Sequence, residues 1–171
     1  MPLLSPEINI LEKICTKASK VIIRDFGEIE KLQVSKKGPG DFVTKTDKKV
    51  ESIIIEELKK ARPNYGFIAE ESGEHKNDSE FKWVIDPIDG TSNFMHGIPH
   101  FAISIALEKN DEIVSGIICD PIKNEIFFAE KGRGSYLNNR RIRVSSRKKL
   151  EEIVGLYGCP PMLKLEQNKI F

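Results

Sequence analysis

Residues 101–120 read FAISIALEKNDEIVSGIICD, two apolar-rich runs separated by Lys109-Asn110-Asp111. Phe101, Ile103, Ile105 and Leu107 recur at every second position, the period of a strand with one buried face. Asn and Asp accept the backbone angles of a tight turn, so Phe101 to Glu108 and Glu112 to Cys119 are expected to form a hairpin. Downstream, Asp120 to Asn124 connects to a further strand at Glu125 to Glu130. Tyr136-Leu137 and Arg141-Ile142-Arg143 predict a last small hairpin through Asn138-Asn139. Upstream, Phe67 to Glu70 and Lys82 to Asp86 read as short strands separated by a polar loop. Before them the period changes to that of helices. Ser5, Pro6 and Glu7 suit a helix start, and Ile8, Leu11, Ile14, Cys15, Ala18, Val21, Ile22 and Phe26 follow at spacings of three and four, with Gly27 as a stop. After a loop at Lys36 to Asp41, a second helix is expected from about Thr44 or Thr46 to Arg62, its inner face made by Val50, Ile53, Ile54, Leu58 and Ala61. Two helices ahead of an antiparallel meander predict an α+β layered domain, the helices packed on a mainly antiparallel sheet. Residues 1–149 read as that domain. Residues 150–171 read as the start of a second α/β layer, opening with a strand at Leu150 to Leu156.

Composition narrows the function classes. The 171 residues are 39% hydrophobic and 31% charged, and a chain of this size buries roughly 70% of its unfolded surface without needing disulfides or a metal. A formal net charge of +1 supplies no global attraction to nucleic acid or an anionic membrane. No apolar run reaches the ~18 residues of a spanning helix, and the first residues lack the pattern of a secretory signal. Cys15, Cys119 and Cys159 are odd in number and far apart, which points to free thiols in a reducing, cytoplasmic setting.

The chemistry-bearing stretch is WVIDPIDGTSN, residues 83–93. A strand delivers Asp86 to its end, and Pro87 is expected to force an immediate turn. Asp86 and Asp89 can then converge, and the Ile88 carbonyl is freed to face the same place. Hard oxygens grouped in this way suit Mg²⁺. Gly90 allows close backbone approach, and a helical turn opening at Thr91-Ser92-Asn93 would offer amides to an anion. Asp-Pro and Asp-Gly alone are ordinary turn dipeptides, and Asp120-Pro121 is an instance with no acid three residues on. The whole string is far less ordinary. Glu70-Glu71 is a second acidic pair at a strand end, readable otherwise as a solvated loop. Asp41 to Asp47 reads as a helix start capped by Thr44, Thr46 or Asp47.

Together, Asp41 to Asp47, Glu70-Glu71-Ser72 and Trp83 to Asn93 resemble the inositol monophosphatase family of Mg²⁺-dependent, lithium-sensitive phosphatases. The resemblance runs from the first helix to about Pro160. It implies that Glu70, Asp86 and the Ile88 carbonyl hold one Mg²⁺ and that Asp86 and Asp89 share a second. Thr91, hydrogen-bonded to Asp47, would orient and deprotonate the attacking water. The Gly90 and Thr91 amides would hold the phosphate, and Lys36 lies where the family has a lysine near a further metal site. The implied substrate is inositol phosphate or a related sugar phosphate, and the full-length family forms homodimers. The family also supplies an aspartate from a later Trp-Asp-x-Ala-Ala-Gly motif. Trp83, the one tryptophan of these residues, is followed by Val84. The resemblance therefore covers the family's first half, and the expectation is a truncated chain of weak or no activity.

Other chemistries fare worse. His96 and His100 with Ser92 or Ser104 lack a Gly-x-Ser-x-Gly elbow, and Gly38-Pro39-Gly40 and Gly132-Arg133-Gly134 lack the Lys-Ser/Thr of a phosphate-binding loop. Arg140, Arg141, Arg143, Arg147, Lys148 and Lys149 form the one strongly basic stretch. It reads as a solvated face or, as the family's non-enzymatic bacterial members suggest, as a surface for RNA or a transcription complex.

Overall fold

Ser5 opens the first helix as the sequence predicts, its hydroxyl accepting the Ile8 N–H at 3.2 Å. Helix α1 spans Pro6–Phe26 and buries Ile8, Leu11, Ile14, Cys15, Ala18 and Ile22 along one face. The structure, a computed structural model, describes residues 5–29, 39–152 and 154. Helix α2 spans Pro39–Ala61. It begins earlier than expected because a proline in the first turn loses no hydrogen bond and is already bent to a helical φ. Thr46 is consequently not a cap: it is buried inside the helix and donates to Asp25 Oδ2 at 3.1 Å. Lys36 lies outside the described residues. Among the described residues no helix is long and apolar enough to cross a membrane.

Eight strands follow: β1 (Gly66–Ala69), β2 (Gly73–His75), β3 (Phe81–Asp89), β4 (Ala102–Lys109), β5 (Glu112–Asp120), β6 (Glu125–Glu130), β7 (Gly134–Leu137) and β8 (Arg140–Ile142). They form one sheet in the order β2-β1-β3-β4-β5-β6-β7-β8. Every neighbouring pair is antiparallel except β1 and β3, which run parallel. A short helix, α3 (Thr91–Met95), interrupts the path from β3 to β4. The hairpins use the residues their turns require. Asn110 and Asp111 join β4 to β5 with φ of 51° and 62°, and Asn138 and Asn139 join β7 to β8 with 44° and 68°, angles that suit tight two-residue turns.

The two helices cover one face of the sheet. Trp83 and Ile85 of β3, Ile103, Ile105 and Leu107 of β4, and Ile117 and Cys119 of β5 alternate into that core with Val50, Ile54 and Leu58 of α2. Cys15 and Cys119 are both buried free thiols in that core, where the nearby Cys119 and then burial push the Cys15 thiol up, and Cys119 Sγ lies 3.5 Å from the Ser19 hydroxyl. Phe94 of α3 is fully buried against Phe26 and Phe101, with ring centroids 5.5 and 5.0 Å away. Burying a side chain of that size contributes about 2–3 kcal/mol, enough to tie α3 to the end of α1.

Three local expectations are corrected. Pro87 does not turn the chain: β3 continues to Asp89 through a bulge, with Asp86 opposite Ser104 and Asp89 opposite Ala102. Proline fits there because the bulge skips the ladder bond that it cannot donate. The polar loop before β3 contains β2, whose three residues are all exposed and carry no alternation to read. Leu150–Glu152 forms a 3₁₀ turn rather than the start of a strand, and 153 and 155–171 lie outside the described residues.

Candidate functional site

The parallel pairing of β1 with β3 builds the site. Ala69 lies opposite Ile85, so the next residues, Glu70 just past β1 and Asp86 still within β3, stand side by side at the same end of the pair. The Glu70 N–H donates to the Ile85 carbonyl at 3.2 Å, carrying the pairing one step past β1. An antiparallel arrangement would have put these acids at opposite ends.

Helix α2 supplies the wall. Asp47 and Glu51 are one turn apart and flank Val50 in the face that continues to Ile54 and Leu58, so the apolar stripe carries both carboxyls inward. Asp47 is 4% exposed and Glu51 3%. Glu51 Oε2 accepts the Glu71 N–H at 2.8 Å, fastening the turn after β1 to α2.

Burial raises the Asp47 carboxyl to about 7, helped by the negative charges of Glu71, Glu70, Asp86 and Glu51. Burial likewise raises Asp86 to about 7, with Glu70 beside it as the next cause and Asp89 adding to it. Six acids from three segments, α2, the turn after β1 and the end of β3, therefore share one neighbourhood. Asp47 Oδ1 and Asp86 Oδ1 are buried with no hydrogen-bond partner. A buried carboxylate oxygen left unpaired is costly, and a cation is the partner that would satisfy several such oxygens at once. Among the described residues, no three Asp, Glu, His or Cys side chains converge as a complete ligand set.

The chain then turns sharply. Gly90 holds φ at 96°, and a Cβ there would meet the His100 carbonyl at 3.0 Å and Phe101 at 3.3 Å. Only glycine fits both the angle and the space. Thr91 begins α3, and its hydroxyl reaches back to donate to the Ile88 carbonyl at 3.0 Å. That bond differs from the Thr91–Asp47 bond that the resemblance implies, because the first helical turn places Ile88 O directly behind Thr91. Asp89 is exposed at the end of β3. A cleft of about 470 Å³ opens beside it, lined by Gly90, Asn93, His100, Asp120 and Lys123 among others. A larger concavity of about 700 Å³ lies over the sheet around Ile113, Phe128 and Tyr136 and adjoins the cleft through Ile118 and Phe127. Its lining carries none of the site's acids.

The structure thus gathers Asp47, Glu70, Asp86 and Asp89, with Ile88, Gly90 and Thr91 at the adjoining bulge and turn. Of the histidines, His100 lines the cleft beside Asp89, but among the described residues neither His96 nor His100 pairs with an acid or a serine hydroxyl. His96 Nδ1 lies 2.7 Å from the Ser92 carbonyl, and His100 uses its carbonyl to accept from Asn93; both are exposed. Glu51 is the residue that sequence reasoning missed. Its signal was present: an acid four residues after Asp47, inside an otherwise apolar helical stripe.

Comparison with known proteins bears on the family and the fold. A model described as the inositol monophosphatase family matches residues 3–164. The inositol-1-monophosphatase of Rhizobium meliloti (strain 1021) is 51% identical over 154 residues, covering 90% of this chain and 58% of that protein. The Nus factor SuhB of Xylella fastidiosa is 43% identical over 156 residues, covering 91% of this chain and 56% of that protein. Among solved structures, the extragenic suppressor protein suhB from Bartonella henselae superposes with a TM-score of 0.77 at 46% identity, over 86% of this chain and 58% of that one. The chain spans less than three fifths of the length of these relatives.

Proposed function

The chain belongs to the inositol monophosphatase family, and from that premise we propose that its acidic site is the metal-binding part of a Mg²⁺-dependent phosphomonoesterase acting on inositol phosphate or a related sugar phosphate. The observation that carries this reading is the pair of buried, unpartnered carboxylate oxygens on Asp47 and Asp86 beside Glu70. Such a donor set suits a hard divalent cation.

In this reading Glu70, Asp86 and the Ile88 carbonyl would hold one Mg²⁺, and Asp86 and Asp89 would take part in holding a second. The chemistry Mg²⁺ would supply there is neutralisation of the clustered carboxylates, activation of water and polarisation of the phosphate ester. Asp47 accepts the proton of the attacking water through Thr91, whose hydroxyl must swing away from Ile88 O to do so. The Gly90 and Thr91 amides hold phosphate oxygens, and the cleft beside Asp89 receives the alcohol. Phosphoryl transfer of this kind relies on positioning and charge neutralisation and needs no protein nucleophile. Lys36 is proposed as a neighbour of a further metal site.

Thermal unfolding against Mg²⁺ concentration tests the reading. A cation that binds the folded state stabilises it by RT ln(1 + [L]/Kd), about 2.7 kcal/mol at 100 Kd. The midpoint should rise with Mg²⁺ in this chain and stay flat in Asp86→Asn. Equal responses would remove Asp86 from the metal site.

A second reading, association with RNA or a transcription complex, draws on the exposed basic run from Arg140 to Lys149 and on a relative named as a Nus factor. Under it, replacing Arg140, Arg141, Arg143, Arg147, Lys148 and Lys149 with neutral residues should weaken RNA binding and flatten its salt dependence. RNA binding unaffected by those changes would dismiss it.

A further inference from the structure

Two consecutive amides govern where the Glu70 carboxylate stands. The Glu70 N–H is anchored to β3 through the Ile85 carbonyl at 3.2 Å. The next amide, Glu71 N–H, is anchored to α2 through Glu51 Oε2 at 2.8 Å. The two bonds clamp the backbone on both sides of the Glu70 Cα, although residues 70–73 are themselves exposed. Glu51, by contrast, is almost fully buried. Its carboxylate has been taken out of water to make this bond, and the bond spans twenty residues of sequence.

We infer that Glu51 is a positioning residue for the metal site: through the Glu71 amide it holds the turn that aims Glu70 at Asp86. This rests on the Mg²⁺ reading given above. Glu51 binds no metal itself in this scheme. Its action on Glu70 is through reach, which is separable from the negative charge it also sets beside Asp47. Outer-layer partners that orient ligands in this way are worth about 10–100-fold in metal affinity.

Three variants separate reach from charge. Glu51→Gln keeps the length and presents an amide oxygen to the Glu71 N–H, but is neutral. Glu51→Asp keeps the charge and is one methylene too short. Glu51→Ala has neither. Mg²⁺ affinity is measured by calorimetric titration of each purified chain, with thermal unfolding in the absence of Mg²⁺ as a separate reading of structure. The expected result is a 10–100-fold loss for Asp and Ala and near-native affinity for Gln. If Ala fails to fold, the Gln and Asp pair still decides. Undiminished affinity in Asp and Ala, whatever their melting temperatures, would overturn the inference while leaving the Mg²⁺ reading intact. So would a loss in Gln that Asp does not share, because that pattern belongs to charge. No Mg²⁺ binding by the unmodified chain would overturn both.

Discussion

Raising the pH from about 5 to 8 without Mg²⁺ is expected to destabilise the protein. Asp47 and Asp86 each titrate near 7 in the folded chain against 3.8 as their ordinary value. Between those values the folded state holds protons that the unfolded state has released, so stability falls as pH rises and levels off above the folded value. In a dry site each displaced carboxyl would carry roughly 4 kcal/mol. Water reaches Asp86, which is half-buried, and screens its repulsion from Glu70 and Asp89. The expected loss is therefore about 2 kcal/mol in all after that discount. Denaturant midpoints at pH 5 and 8 measure it. Mg²⁺ should remove most of the decline, because a cation replaces the protons in neutralising the cluster, and Asp47→Asn should raise the midpoint at pH 8. A profile flat across this range would mean the acids are solvated and do not form one buried group.

Much of this arrangement was legible in the residues. The β4–β5 hairpin followed from the alternation Phe101, Ile103, Ile105, Leu107 and from Asn110-Asp111, because a one-sided strand and a left-handed turn each demand particular residue types. Helix α1 followed from Ser5, Pro6 and its apolar face. The start of α2 did not, because Gly38-Pro39-Gly40 looks like a breaker when only the residue types are considered, and the proline is harmless solely in the first turn. Pro87 misled for a related reason: whether proline ends a strand depends on whether its neighbour strand needs the missing N–H, which is a tertiary fact. The parallel alignment of β1 with β3 had no local signature at all. It is what places Glu70 beside Asp86, so the acids could be named from the string while their meeting could not be derived from spacing. Asp47 and Glu51 show the converse, since their i, i+4 spacing in an apolar stripe does predict shared burial.

The 171-residue chain on its own is expected to hydrolyse inositol 1-phosphate several orders of magnitude more slowly than the Rhizobium meliloti inositol-1-monophosphatase that it resembles. The argument concerns donors. For one proposed cation these residues supply Glu70, Asp86 and the Ile88 carbonyl, so Mg²⁺ affinity should survive. For a second they supply Asp86 and Asp89, and Asp89 is exposed at the strand end. The family's later Trp-Asp-x-Ala-Ala-Gly aspartate is not among them, and the chain covers 58% of that relative. Two-metal catalysis clamps the attacking and leaving oxygens between ions held roughly 3.5–4 Å apart. A second ion held by two side chains, one of them open to water, cannot keep that spacing against the leaving oxygen, and the rate depends on the spacing far more steeply than binding does. Binding and turnover should accordingly separate: Mg²⁺ raises the melting temperature while phosphate release stays near background, with or without Li⁺. Turnover comparable to the relative would refute this and would require another residue, or a second chain, to supply the missing oxygen.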